Sequence, residues 1–267
     1  MVLRRDAAGV LAVGQASHAW LCGQLARAWG NARFGAVEPL DEVALGAEQH
    51  DVGMGRWDLA PLRNPQTGLP QSFIEMGPVA NAGLWTQGPR RLVSQSRYAA
   101  LLAIKHGRRL YERFDAGAAA PEEAAAVTAF LEHAADLERS LRSALRADPF
   151  TAPYATDEVV ERNSRLLWTW DTVSLALLLD WAPLTLHAVP AADGTADVAL
   201  AAVSSAPATV SLDPWPFGTD EVRLHCEGRR LTHGYEDDGG LARALAEAPW
   251  ETVEFTLAAG ADLRPGP

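Results

Sequence analysis

Lysine is almost missing from this sequence: Lys105 stands alone beside 22 arginines, and the formal net charge is −11. A chain so acidic has no electrostatic footprint for a nucleic-acid backbone, so that partner is excluded. Cysteine is scarce too. Cys22 and Cys226 are the two present, far apart in sequence, which excludes a disulfide framework and a paired-thiolate metal site. A reduced, cytoplasmic protein is the expectation. No apolar run reaches the length of a membrane span, and the opening MVLRRDAAGVLAVGQ is too short and mixed for a signal peptide. The partner left by these exclusions is a small molecule.

What is present is a chain of 267 residues with 48% hydrophobic content, enough for one large domain or a domain with an appendage. Helical periodicity dominates its first two thirds. Residues 17–30 carry a stripe of His18, Cys22, Leu25 and Trp29; residues 43–58 carry Val43, Ala47, His50, Met54 and Trp57. Residues 96–114 place Tyr98, Leu102, His106, Leu110 and Phe114 together. Residues 121–145 put Val127, Phe130, Leu137 and Leu141 inward, with His133 at the edge, and residues 156–181 align Val160, Leu167, Asp171, Ser174 and Leu178. Between them, residues 60–81 read as a long loop bordering a substrate opening. Residues 9–13 suggest a short strand. After Pro183 come short alternating runs at 209–212, 222–226 and 253–257, with a short helix at 240–247. The expected fold is mainly α: a helical metal-binding domain over 1–183 and a small β-rich appendage over 184–267.

Each of five helices therefore carries an imidazole or carboxylate on or beside an apolar face: His18, His50 with Asp51, His106, His133 and Asp171. A charge buried without compensation costs several kcal/mol, and a metal ion is one compensating partner. Imidazole and carboxylate suit Fe, Mn or Zn, and helices converging on a point commonly build such sites. One or two divalent transition ions are expected. Glu48 and Asp58 flank the His-Asp pair as candidate proton-transfer groups. Lys105, Arg56 and Arg109 are candidates to offset an anionic substrate, with Trp57 beside them.

The order His18, then Gln-His-Asp-Val-Gly at 49–53, then Asp171 resembles the HD-domain superfamily of metal-dependent phosphohydrolases. GQLARAWGN at 23–31, HDVGMGRWD at 50–58, KHGRRLY at 105–111, WDTVSLAL at 170–177 and DPWPF at 213–217 are similar to a bacterial family of HD-like proteins. The resemblance implies an HD-like helical bundle and a ligand set of His18, His50, Asp51 and Asp171. His106 and His133 are in the interval where two-metal members add histidines. It implies hydrolysis of a phosphorylated small molecule, or alternatively dinuclear iron oxygenation or a non-catalytic metal-containing sensor. One departure stands out: Met54 occupies a place that is lysine in many phosphohydrolases of the superfamily. That leaves Lys105, Arg56, Arg108 or Arg109 to meet a phosphate.

Overall fold

The computed structural model describes residues 1–205 and 208–260. A hairpin, β1 (Val2–Asp6) and β2 (Gly9–Val13), precedes α1 (Gln15–Ala28). Then follow α2 (Leu40–Gln49), a 3-10 turn (Val52–Met54), α3 (Gly55–Leu59), α4 (Pro78–Leu92), α5 (Arg97–Leu110), α6 (Pro121–Ala147) and α7 (Asp157–Leu179). β3 (Leu184–Pro190), β4 (Thr195–Ser205), β5 (Ala208–Asp213), β6 (Glu221–Leu231), α8 (Asp238–Glu247) and β7 (Trp250–Ala259) complete the described chain. Ser96 and Thr156 cap α5 and α7 by accepting from the amides of Ala99 and Val159. No helix among the described residues is long and apolar enough to cross a membrane.

All seven strands form one sheet in the order β1-β2-β6-β7-β5-β4-β3, with β5 and β7 parallel and the other neighbours antiparallel. The expectation of a mainly α fold with a small β appendage is thereby corrected. The chain is α/β, about 49% helical, with a curled sheet assembled from both ends of the sequence. Strands β1 and β2 precede residue 183 and β3–β7 follow it. The helices and the sheet share one core, in which Leu21, Cys22 and Leu25 of α1 and Leu177 of α7 meet Val198, Leu224 and Phe255. The alternation of β6, with Val222, Leu224 and Cys226 inward and Arg223, His225 and Glu227 outward, is what a one-sided sheet requires. Beyond its pairing with β2 at 229–231, β6 borders α1. Ser17 Oγ and the Gln24 carboxamide each hydrogen-bond the amide and carbonyl of one β6 residue, Glu227 and His225 respectively. A helix thus covers backbone groups that an edge strand would otherwise leave open.

Two helical expectations are also corrected. Residues 43–58 are not one helix: α2 ends at Gln49, and His50 and Asp51 lead into the 3-10 turn before α3. The break follows from contact, since the turn presses Gly53 against Gly88 of α4 so closely that a Cβ on Gly53 would sit 2.5 Å from the Leu84 carbonyl oxygen. Residues 78–81, read as the end of a loop, instead open α4, which continues to Leu92. The remaining loop docks on the C-terminal region, where the Tyr235 amide donates to the Gly68 carbonyl.

Candidate metal centre

The centre is built from three elements at right places along the chain. α1 supplies Gln15 and His18, the α2–α3 break supplies His50 and Asp51, and α7 supplies Asp171 and Ser174; α5 closes one side with His106. All seven side chains are buried. His50 and Asp51 meet the others because the helix ends there: the C-cap position of His50 lets its Nδ1 reach back 2.8 Å to the Ala47 carbonyl.

His18 Nε2 lies 2.9 Å from Asp171 Oδ1 and 3.8 Å from Asp51 Oδ2. His50 Nε2 lies 3.5 Å from each of the same two oxygens. An ion about 2.1 Å from each ligand spaces neighbouring donors roughly 3.0 Å apart at right angles and 3.4 Å at tetrahedral angles. Three of the four nitrogen–oxygen distances fit that spacing, and the His18–Asp51 distance of 3.8 Å is wider. The far sides of both rings are held as well. A carbonyl only accepts, so His50 Nδ1 donates to Ala47. Ser174 Oγ is 2.8 Å from the Asp171 carbonyl and 2.8 Å from His18 Nδ1. With a cation in the centre, the hydroxyl would donate to that carbonyl and accept from His18 Nδ1–H; in the ion-free protein His18 Nε2 itself donates to Asp171 Oδ1 at 2.9 Å, since a carboxylate only accepts. In that cation-bound arrangement both neutral imidazoles would turn the Nε2 lone pair toward the ion, as histidine ligands do. His50 Nε2 comes no closer than 3.5 Å to either carboxylate oxygen.

Lone pairs facing carboxylates repel unless a cation stands among them. In the ion-free protein a proton fills that need. Burial by itself lowers the His50 pKa, but the Asp51 and then the Asp171 carboxylate outweigh it and raise it to about 9. Burial pushes Asp51 up, offset by the His50 and His18 charges, whereas Asp171 is held well below the carboxylate range because hydrogen bonds from His18 and His50 overcome burial. His106 is pushed down to about 3 by burial, with Asp171 opposing, so it is neutral. A divalent ion would displace the proton of His50 and answer both carboxylates at once.

The other expected residues fall in different places. His106 Nε2 is 3.7 Å from Asp171 Oδ2, the oxygen turned away from His18, and its ring packs against His50, Trp85 and Trp168. His133 is half-buried on α6 and is outside the group of converging ligand atoms. Glu48 pairs with Arg27 along the α1–α2 contact. Asp58 accepts from the Gln15 amide at 2.5 Å and stands 3.2 Å from the Met1 amino group, so it holds the start of α1. Arg56 is exposed, and Trp57 is half-buried against the Met54–Trp85 cluster. Lys105 pairs with Glu138 and Glu161, while the Arg109 guanidinium stacks 4.6 Å from the Trp168 ring. Three residues escaped the sequence reading as site members: Gln15, which donates to Asp51 Oδ2 at 3.2 Å, Ser174 and Trp168. The latter two lie three residues either side of Asp171, one helical turn away, a spacing that marks them as its neighbours. Cys22 is close to the centre, but its Sγ faces Ser174 Oγ at 3.3 Å, on the Nδ1 side of His18, and burial raises its thiol pKa. With His18, His50 and Asp171 it nonetheless forms a group whose ligand atoms lie within 4.8 Å of one another, so it is an alternative fourth donor to Asp51.

A family model described as Protein of unknown function (DUF3891) matches residues 1–233, a span containing every residue of the centre. No curated protein and no solved structure matches the chain.

Proposed function

We propose a function from the chemistry of the centre itself, because the chain belongs to the DUF3891 family, whose description assigns no activity: it is a metal-dependent hydrolase with a mononuclear site of His18, His50, Asp51 and Asp171. The observation that carries this reading is the convergence of two imidazole Nε2 atoms and two carboxylates at 2.9–3.8 Å, with both Nδ1 atoms near acceptors. A divalent transition ion held there by His18, His50, Asp51 and Asp171 would supply Lewis acidity and an activated water. The HD-domain resemblance agrees with this donor order, but the site chemistry stands without it.

The residues divide the remaining work. Gln15 and Ser174 orient Asp51 and His18. Trp85 and Trp168 pack against His106 and restrict water. Asp171 is the ligand with the most exposed side chain, 11% against 1% for His18 and His50, so substrate and solvent approach from its side. On that side Asp171 Oδ2 faces neutral His106 Nε2 at 3.7 Å, and His106 would line the approach of the substrate. Dinuclear oxygenation needs both His106 and His133 as ligands, and the position of His133 away from the ligand group favours hydrolysis.

The test is elemental analysis of the wild-type chain and a His50→Ala/Asp51→Ala variant, followed by phosphomonoester, phosphodiester and carboxylic-ester hydrolysis with Mn, Fe or Zn added. One ion per wild-type chain, none in the variant, and metal-dependent turnover are expected. Metal retained by a folded double variant sinks the ligand assignment, and a loaded chain that cleaves none of the esters sinks the hydrolase reading.

A further inference from the structure

Lys105, Arg108, Arg109, Tyr111, Glu112 and Glu138 are among the residues that line a cleft of 380 Å³ between α5 and α6. Most of its charges are already answered. Buried Glu138 accepts from Arg108 and from Arg142 and lies 3.6 Å from Lys105, which also meets Glu161 at 3.3 Å. Arg109 is different. Its guanidinium stacks on Trp168, and no carboxylate forms an ion pair with it among the described residues. In a chain with net charge −11, a half-buried guanidinium without an acid partner needs an explanation. Stacking fixes the plane of the group and leaves its N–H edge free, the state in which arginine receives a planar or tetrahedral oxyanion.

The position of the stack links the cleft to the metal centre. The Trp168 ring that carries Arg109 also lies 5.3 Å from the His106 ring, and His106 Nε2 faces Asp171 Oδ2 at 3.7 Å. A small molecule anchored at Arg109 therefore has its anionic end beside the wall of the centre and on the side of Asp171, the most exposed ligand. We infer that Arg109, held by Trp168, is the seat for an oxyanion group of the substrate, a phosphate or a carboxylate, with the cleft admitting the rest of the molecule. The link to catalysis rests on the centre being a metal site; the anion seat does not. Arginine in the last turn of α5 has a plainer role as well, since a cation there complements the helix dipole. Anion binding separates the two.

The experiment uses the full chain loaded with Mn²⁺ and inorganic phosphate as the probe. Calorimetry measures phosphate affinity for wild type, Arg109→Ala and Arg109→Lys, and ³¹P relaxation reports whether bound phosphate is near the ion. Arg109→Ala should weaken phosphate binding about tenfold or more, with Arg109→Lys only partly restoring it, while metal content and thermal unfolding stay close to wild type. Bound phosphate should show Mn²⁺-dependent relaxation that is lost in the Ala variant. Displacement by equimolar acetate identifies a carboxylate seat, and resistance to acetate identifies a phosphate seat. Equal phosphate affinity in wild type and Arg109→Ala, with only a stability change, reduces Arg109 to a helix-end cation and overturns the inference. Phosphate bound through Arg109 without any relaxation effect overturns the link to the centre. If Mn²⁺ does not load, the metal reading fails, and the calorimetric comparison alone still decides the seat.

Discussion

Ser174 has one hydroxyl proton and two neighbours at 2.8 Å, the Asp171 carbonyl and His18 Nδ1, so it fixes which nitrogen of His18 faces the centre. Ser174→Ala should leave the fold intact and weaken metal affinity about 10- to 100-fold, as loss of an outer-shell partner does; titration of Mn²⁺ or Zn²⁺ into the apo variant measures it. The two perturbed histidines give the ion-free protein a definite pH dependence. The folded pKa of His50, about 9, exceeds the unfolded value near 6.5. Its proton therefore stabilises the fold fully below about 6.5, and that stability is lost as pH rises through 9. His106 has the opposite sign. Held to about 3, it stays neutral while the unfolded chain takes up a proton, so stability is lost as pH falls from about 6.5 toward 3. Melting temperatures of chelator-treated protein should peak near neutrality, and His50→Gln should flatten the alkaline limb alone. An alkaline limb unchanged in that variant would show that Asp51 and Asp171 are balanced by something other than His50.

At the scale of elements, the break between α2 and α3 places the His-Asp pair, and the Gly53–Gly88 contact sets the break. Gly53→Ala should destabilise the protein by about 1–3 kcal/mol in urea unfolding, the range for overpacking a tight contact, and should also weaken metal binding because the turn carries Asp51. The polar residues misplaced on apolar stripes were legible in the sequence: His18, His50, Asp51, His106 and Asp171 meet in the structure. The helix ends were less so. A continuous stripe from Val43 to Trp57 satisfies a 3.6-residue period whether or not the backbone stops at Gln49, and the obstacle, α4, comes from another part of the chain. The strands β3 and β4 hid for a different reason. LTLHAVP contains a proline and an irregular register, and TADVALAAVSS is rich in alanine, so neither shows the branched alternation that marks β6. His133 shows the limit of stripe reading, because the edge of a helix face can point to any of several neighbours.

At the scale of the molecule, the core does not respect the division at residue 183. Leu21, Leu25 and Leu177 are buried partly by residues from β4, β6 and β7, and Ser17 and Gln24 bond to the β6 backbone. Residues 1–183 expressed alone should therefore remain unfolded or aggregate; a cooperative melt and stoichiometric metal in that fragment would show the helical part to be self-sufficient. The same long-range closure has a consequence in time. Asp171 follows His18 by 153 residues, and at 5–20 residues per second a ribosome needs roughly 8 to 30 s to deliver the second after the first. If the centre holds a metal as proposed, His18, His50 and Asp51 would offer only an incomplete ligand set during that interval. Selection of such a metal would then belong to the end of synthesis, when the helix bearing Asp171 packs down and the last strands close over α1.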